Sequence, residues 1–207
     1  MQLYNQTTKY TCAAAGLAMV INHYRPKFLL NIDNEFDIWQ KTAALPARGS
    51  SIFALASYAN TQKVPVKVMI TKRQQKYPQE TRWYDKKEIH IANFSSDLYY
   101  RRAKEVGIDI IEGEVRLLDV KKLLKAGHIL MVRLFVGVLR GTKANRKIPH
   151  FMVLYKHEKG KYHIMDPKRG ELKVTEKILR ESFEGLEEIK RDSRMLVFGK
   201  SKKLMTK

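Results

Sequence analysis

Four residues of this 207-residue chain could together perform nucleophilic chemistry: Gln6, Cys12, His150 and Asp166. Cys12 is the only cysteine, and it stands where a helix should begin. Ala13, Leu17, Val20, Ile21 and Tyr24 recur at helical spacing on one face, with Thr11 in front as an N-cap and Pro26 beyond the end. A thiol in that first turn meets free backbone N–H groups and the positive end of the helix dipole. Such surroundings lower a thiol pKa from about 8.5 into the range of roughly 3.5–7.5. A thiolate nucleophile also needs a base, a group that orients the base, and donors for the oxyanion.

His150 and Asp166 can supply the base and its orienting group. They lie sixteen residues apart, near the ends of two stretches that read as strands, His150 to Tyr155 and Lys161 to Asp166. Glu158-Lys159-Gly160 between them reads as the turn. A hairpin folded about residue 158 sets the two side chains nearly opposite, about 5 Å apart at Cβ. A slip of one residue would put them on opposite faces. Gln6 lies six residues before Cys12. Its amide could point at the same oxygen as the Cys12 backbone N–H.

The elements that must position these residues change character along the chain. After the Cys12 helix, Ile32, Phe36, Trp39 and Ala43 form the apolar stripe of a helix over 33–44, and a third helix runs over 51–60. Val64 to Ile70 alternates as a strand. Thr71 to Lys87 is irregular, basic and aromatic. Ser95 or Ser96 caps a helix through Val106, Ile108 to Ile111 reads as a short strand, and Asp119 caps a helix over 120–126. Ile129 to Val138 is an apolar strand, Thr175 caps a helix through Phe183, and Met195 to Phe198 is a last strand. Helices first and antiparallel strands later is the α+β pattern. It is read as one domain over 1–199 with a basic tail over 200–207.

Composition bounds the functions. Lys and Arg number 40 against 21 Asp and Glu, a net charge of +19 that favours anionic partners. Apolar residues are 44%, with Gly 11 and Pro 6, which excludes collagen-like and disordered classes. No apolar run approaches the roughly 20 residues a membrane span requires. A lone cysteine permits no internal disulfide, which suits a reducing, cytoplasmic setting. No second cysteine or suitably spaced carboxylate accompanies the histidines, so no metal is expected. Arg140, Lys143, Arg146 and Lys147 form an acid-free basic stretch running into His150. If His150 is catalytic, that stretch lies at the cleft mouth and would attract an acidic peptide substrate. No nucleic-acid motif accompanies the charge, so nucleic acid is not the expected partner.

Three segments carry a resemblance: Gln6-Thr-Thr-Lys-Tyr10-Thr-Cys12-Ala-Ala-Ala, His150-Phe-Met-Val-Leu-Tyr, and Ile164-Met-Asp166-Pro167. Together they resemble the bacteriocin-processing (double-glycine leader) peptidases, which are papain-like cysteine peptidases. Glu35-Phe-Asp-Ile-Trp39 and the Ser50-Ser51 helix start are similar to stand-alone, uncharacterised relatives of that family. The resemblance implies a papain-like fold and peptide hydrolysis without a cofactor, and suggests intracellular peptide maturation. Cys12 matches the nucleophile, His150 the base, Asp166 the group orienting it, and Gln6 the oxyanion donor. Ala13 stands where the family usually has glycine, and no transporter domain is fused, so leader export is not implied. Acyl transfer to an amine at the same site, a non-catalytic peptide-binding module, and a nucleic-acid binder are the competing readings.

Overall fold

The computed structural model describes residues 1–44, 48–73, 86–141, 149–189 and 191–199. The basic tail, most of the basic aromatic stretch over 71–87, and Lys143, Arg146 and Lys147 lie outside them. Three helices come first, α1 (Cys12–Tyr24), α2 (Ile32–Thr42) and α3 (Ile52–Thr61). They are followed by β1 (Val66–Ile70), α4 (Lys86–Glu105), β2 (Asp109–Glu112), α5 (Leu117–Lys125), β3 (Ile129–Phe135) and the one-turn α6 (Val136–Leu139). The remainder holds β4 (Pro149–Glu158), β5 (Lys161–Asp166), β6 (Gly170–Thr175), α7 (Glu176–Glu188) and β7 (Arg194–Phe198). These seven strands form one sheet in the order β2-β1-β7-β3-β4-β5-β6. Among them only β1 and β2 run parallel; every other neighbouring pair is antiparallel. This is the expected α+β arrangement of N-terminal helices on a C-terminal, mainly antiparallel sheet. Among the described residues no helix is long and apolar enough to cross a membrane.

The sheet carries a core on each face. Ile129 and Met131 of β3 pack with α1–α3, while Leu130, Val132 and Leu134 pack with α5 and α7. All seven positions of β3 are buried, which is why its sequence is a continuous apolar run rather than an alternating one. α1 is buried from Ala13 to Ile21. Its small residues let it lie close to the sheet: a Cβ at Gly16 would sit 3.4 Å from Met131 and Val153.

Several boundaries differ from the sequence reading for identifiable reasons. α2 buries Glu35, Ile38 and Thr42, one step round from the expected stripe, and leaves Ile32 exposed. Ser95 and Ser96 lie inside α4 rather than at its start. Arg116, not Asp119, takes the N-cap position of α5; the Asp119 carboxylate instead accepts from the Arg116 N–H at 3.3 Å. β6 has no counterpart among the expected strands, because at the sheet edge it exposes Glu171, Lys173 and Thr175 and buries only Val174.

β3 also stops earlier than the apolar run suggests. The Phe135 carbonyl accepts a hydrogen bond from the Ser182 hydroxyl of α7 at 2.7 Å, and the chain turns into α6, which stays apolar because it is buried. Gly185 of α7 allows this approach. A Cβ there would lie 2.5 Å from Cδ1 and 3.2 Å from Cβ of Phe135. Gly185→Ala should therefore overpack this contact and cost about 1–3 kcal/mol. Glu184→Ala, at the neighbouring exposed position, should change stability by less than about 0.5 kcal/mol. Urea denaturation of the two variants compares them directly.

Candidate active site

Cys12 is the first residue of α1 and is half-buried. The helix start is seated against β4, where the backbone N–H groups of Phe151 and Ala13 are close enough to the Cys12 sulfur to act on its pKa. Thr11 occupies the N-cap position but makes no side-chain capping bond. Its hydroxyl pairs instead with that of Thr8 at 3.0 Å. The first-turn N–H groups are thus left without a side-chain cap from Thr11. Burial nevertheless pushes the Cys12 thiol up from its ordinary pKa. The two N–H groups and the charge of Arg140 pull it down, and Asp166 adds to the rise. The expectation of a lowered thiol pKa is corrected here: burial outweighs the helix start, so the resting group is a thiol.

His150 is the second residue of β4 and Asp166 the last of β5; both are buried. Lys159 and Gly160 both have positive φ, 47° and 73°, as a two-residue type I′ hairpin turn requires. That turn pairs Glu158 with Lys161 and Lys156 with His163. Continued unchanged, this register would send His150 and Asp166 to opposite faces. Tyr155 prevents it. It is an extra residue on β4, and beyond it Leu154 pairs with Ile164 and Val153 with Met165. The bulge returns His150 to the face of Asp166. Extending the register sets Met152 across from Asp166, so the two site residues are diagonal neighbours, roughly 7–8 Å apart. They are not directly opposite, as a hairpin folded about residue 158 would have set them.

Asp166 is held by a different residue from the one expected. Arg140 donates from Nε to Oδ2 at 2.8 Å and from Nη2 to Oδ1 at 2.9 Å. The Lys168 backbone N–H donates to Oδ1 at 2.8 Å. The Arg140 and Asp166 side chains are 9% and 0% exposed, so the ion pair is shielded from water. Nδ1 of His150 is buried and has no hydrogen-bond partner among the described residues. Burial lowers the His150 pKa to about 4, helped by Arg140 and Lys168 and opposed by Asp166. His150 is therefore a neutral imidazole at neutral pH. Arg140, expected among the cations that attract substrate, has its guanidinium committed to Asp166 instead.

Gln6 lies beside the same corner. Its backbone N–H donates to the Pro167 carbonyl at 2.7 Å, tying the segment before α1 to the residue after Asp166. Its side-chain NH₂ donates to the Thr8 carbonyl, and its Oε1 is buried without a partner among the described residues. Glu35 of α2 holds this segment from the other side. Its fully buried carboxylate accepts from the Tyr4 hydroxyl at 2.8 Å and the Thr7 N–H at 3.0 Å. Sequence reasoning gave Glu35 no such role; it stood out only as the first residue of the Glu35-Phe-Asp-Ile-Trp39 motif, an acid next to the apolar stripe. Among the described residues no cluster of His, Cys, Asp and Glu could hold a metal ion.

The model of the family described as Peptidase_C39 like matches residues 1–202. No curated protein matches the chain. Among solved structures, the chain is similar to a double glycine motif protease from an AMS/PCAT transporter, determined in complex with the leader peptide. The TM-score is 0.51 at 16% identity, over 97% of this chain and 91% of that one.

Proposed function

The chain belongs to the Peptidase_C39 like family, and on that premise we propose that it is a cysteine peptidase with Cys12 as nucleophile, His150 as base, Asp166 as the group that sets the base's surroundings, and Gln6 as an oxyanion donor. The fold it shares with the double glycine motif protease is papain-like. One observation carries the reading beyond the fold: the backbone N–H of Phe151, the residue directly after His150, is close enough to the Cys12 sulfur to pull its pKa down.

Both reacting groups are neutral at rest. His150 takes the thiol proton as the sulfur bonds to the peptide carbonyl carbon, and the carbonyl electron pair moves onto oxygen. The Cys12 N–H and the Gln6 amide stabilise that oxyanion. To do so, the Gln6 amide turns from the Thr8 carbonyl toward the substrate. Collapse expels the amine, which leaves with the proton from His150. His150 then deprotonates water, water attacks the thioester, and the acid and the thiol are released. The substrate class is a peptide, in keeping with the leader peptide bound by the solved neighbour.

Alkylation with iodoacetamide at neutral pH, followed by mass spectrometry, tests the reading alongside cleavage of a peptide library. The wild-type protein is expected to be labelled at Cys12 and to cleave; Cys12→Ala should do neither, and His150→Ala should be labelled more slowly. A product carrying an added amine in place of hydroxyl would assign acyl transfer instead. Peptide binding without cleavage, with labelling indifferent to His150, would assign a binding module.

A further inference from the structure

Resting on the peptidase reading, we propose that Arg140 is a positioning residue for the reaction: by holding both carboxylate oxygens of Asp166, it withholds that charge from His150 and leaves the imidazole a neutral base. A fully buried carboxylate needs a buried counter-charge. Two groups in this corner could provide it, the guanidinium of Arg140 or an imidazolium at His150. The geometry assigns it to Arg140, through two bonds of 2.8 and 2.9 Å. A histidine claimed by Asp166 would bond it through Nδ1, yet that atom has no partner among the described residues.

The charge balance gives the arrangement a chemical use. With Arg140 present, Arg140 and Asp166 cancel, and proton transfer from Cys12 to His150 creates a second neutral pair beside the first. Without Arg140, Asp166 would draw a proton onto His150 before any substrate arrived. The base would be occupied, and a Cys12 thiolate would add an unbalanced negative charge next to Asp166. Among the described residues, the charged groups that act on His150 are Arg140 after α6, Asp166 at the end of β5 and Lys168 beyond it. The backbone that carries Arg140 is firmly anchored. Arg140 is the C-cap of α6, and Val136, Gly137 and Leu139 just before it are buried.

The test follows the ring of His150 by NMR and the rate of Cys12 alkylation, both as functions of pH. It uses the wild-type protein, Arg140→Ala, Arg140→Lys and Arg140→Ala/Asp166→Asn. In Arg140→Ala the His150 titration midpoint should rise by about two pH units, the size of effect a nearby uncompensated carboxylate produces. Alkylation at pH 5 should then fall about tenfold or more. Arg140→Lys keeps the charge and should hold the midpoint near that of the wild-type protein. The double variant removes both charges and should do the same, and it remains informative if Arg140→Ala alone fails to fold. A midpoint unmoved in Arg140→Ala, or moved equally by lysine and alanine, would overturn the proposal; so would faster alkylation in Arg140→Ala, which would make the ion pair a restraint. If wild-type alkylation proves indifferent to His150, the peptidase reading fails, while the NMR titration still decides whether Arg140 governs the imidazole.

Discussion

Exchange of His150 for glutamine is expected to reduce peptide hydrolysis about a thousandfold or more while making the protein's stability less sensitive to acid. The loss of rate follows from removing the only proton acceptor assigned to the Cys12 thiol, which is itself held protonated by burial. The stability effect has an independent origin. Folded His150 has its pKa lowered to about 4, below the 6.5 of the unfolded chain. Between those values the unfolded state binds a proton that the folded state does not, so stability rises with pH through this window. It is lost as pH falls from about 6.5 toward 4, and the full difference is about 3 kcal/mol. Glutamine cannot titrate, so that part of the slope should vanish. Urea denaturation from pH 4 to 7 measures it; an unchanged slope would remove His150 as its source, and retained hydrolysis would remove it as the base.

Two single-residue deletions in β4 should differ by orders of magnitude although each shortens the strand equally. Deleting Tyr155 removes the bulge but keeps the pairings on either side, because Lys156 and Leu154 already face consecutive residues His163 and Ile164. The losses are local twist, the packing of the Tyr155 ring against the core and the His163 ring, and the Tyr155 hydroxyl bond to Glu171 at 2.6 Å. Hydrolysis should stay within about tenfold of the wild-type rate, since the site is displaced little. Deleting Met152 shifts only the residues before it, and His150 moves to the face opposite Asp166. Hydrolysis should then fall by at least about a thousandfold. Rates are compared on variants whose circular dichroism matches the wild-type spectrum. Equal losses in both would show that register is not what places His150.

The fold was legible where local chemistry and packing agreed. The α1 periodicity, the Lys159-Gly160 turn and the alternation of β1 each report a choice made within a few residues. The site was legible only in outline. Sequence spacing brought His150 and Asp166 onto neighbouring strands, but nothing local reveals that Tyr155 is a bulge, since its side chain suits a regular strand equally well. Arg140 was visible as one cation in a basic stretch. Its partner depends on α6 folding back against the end of β5, a contact between residues 26 apart in the chain. The thiol pKa was misjudged because the helix start is a local feature and burial is a global one. The role of Glu35 was hidden for a related reason: its partners Tyr4 and Thr7 belong to an irregular segment with no periodicity to read.

The sheet order has a consequence for biosynthesis. β7 follows every other described element in the chain, yet it lies in the interior of the sheet and joins β1 to β3. A growing polypeptide therefore exposes the Cys12 helix early, and holds two unjoined half-sheets until Arg194–Phe198 has left the ribosome. Pairings of such long sequence separation form late and together. Closure of the sheet, and with it the shared packing of α1 and α3 against both halves, is thereby tied to the emergence of β7.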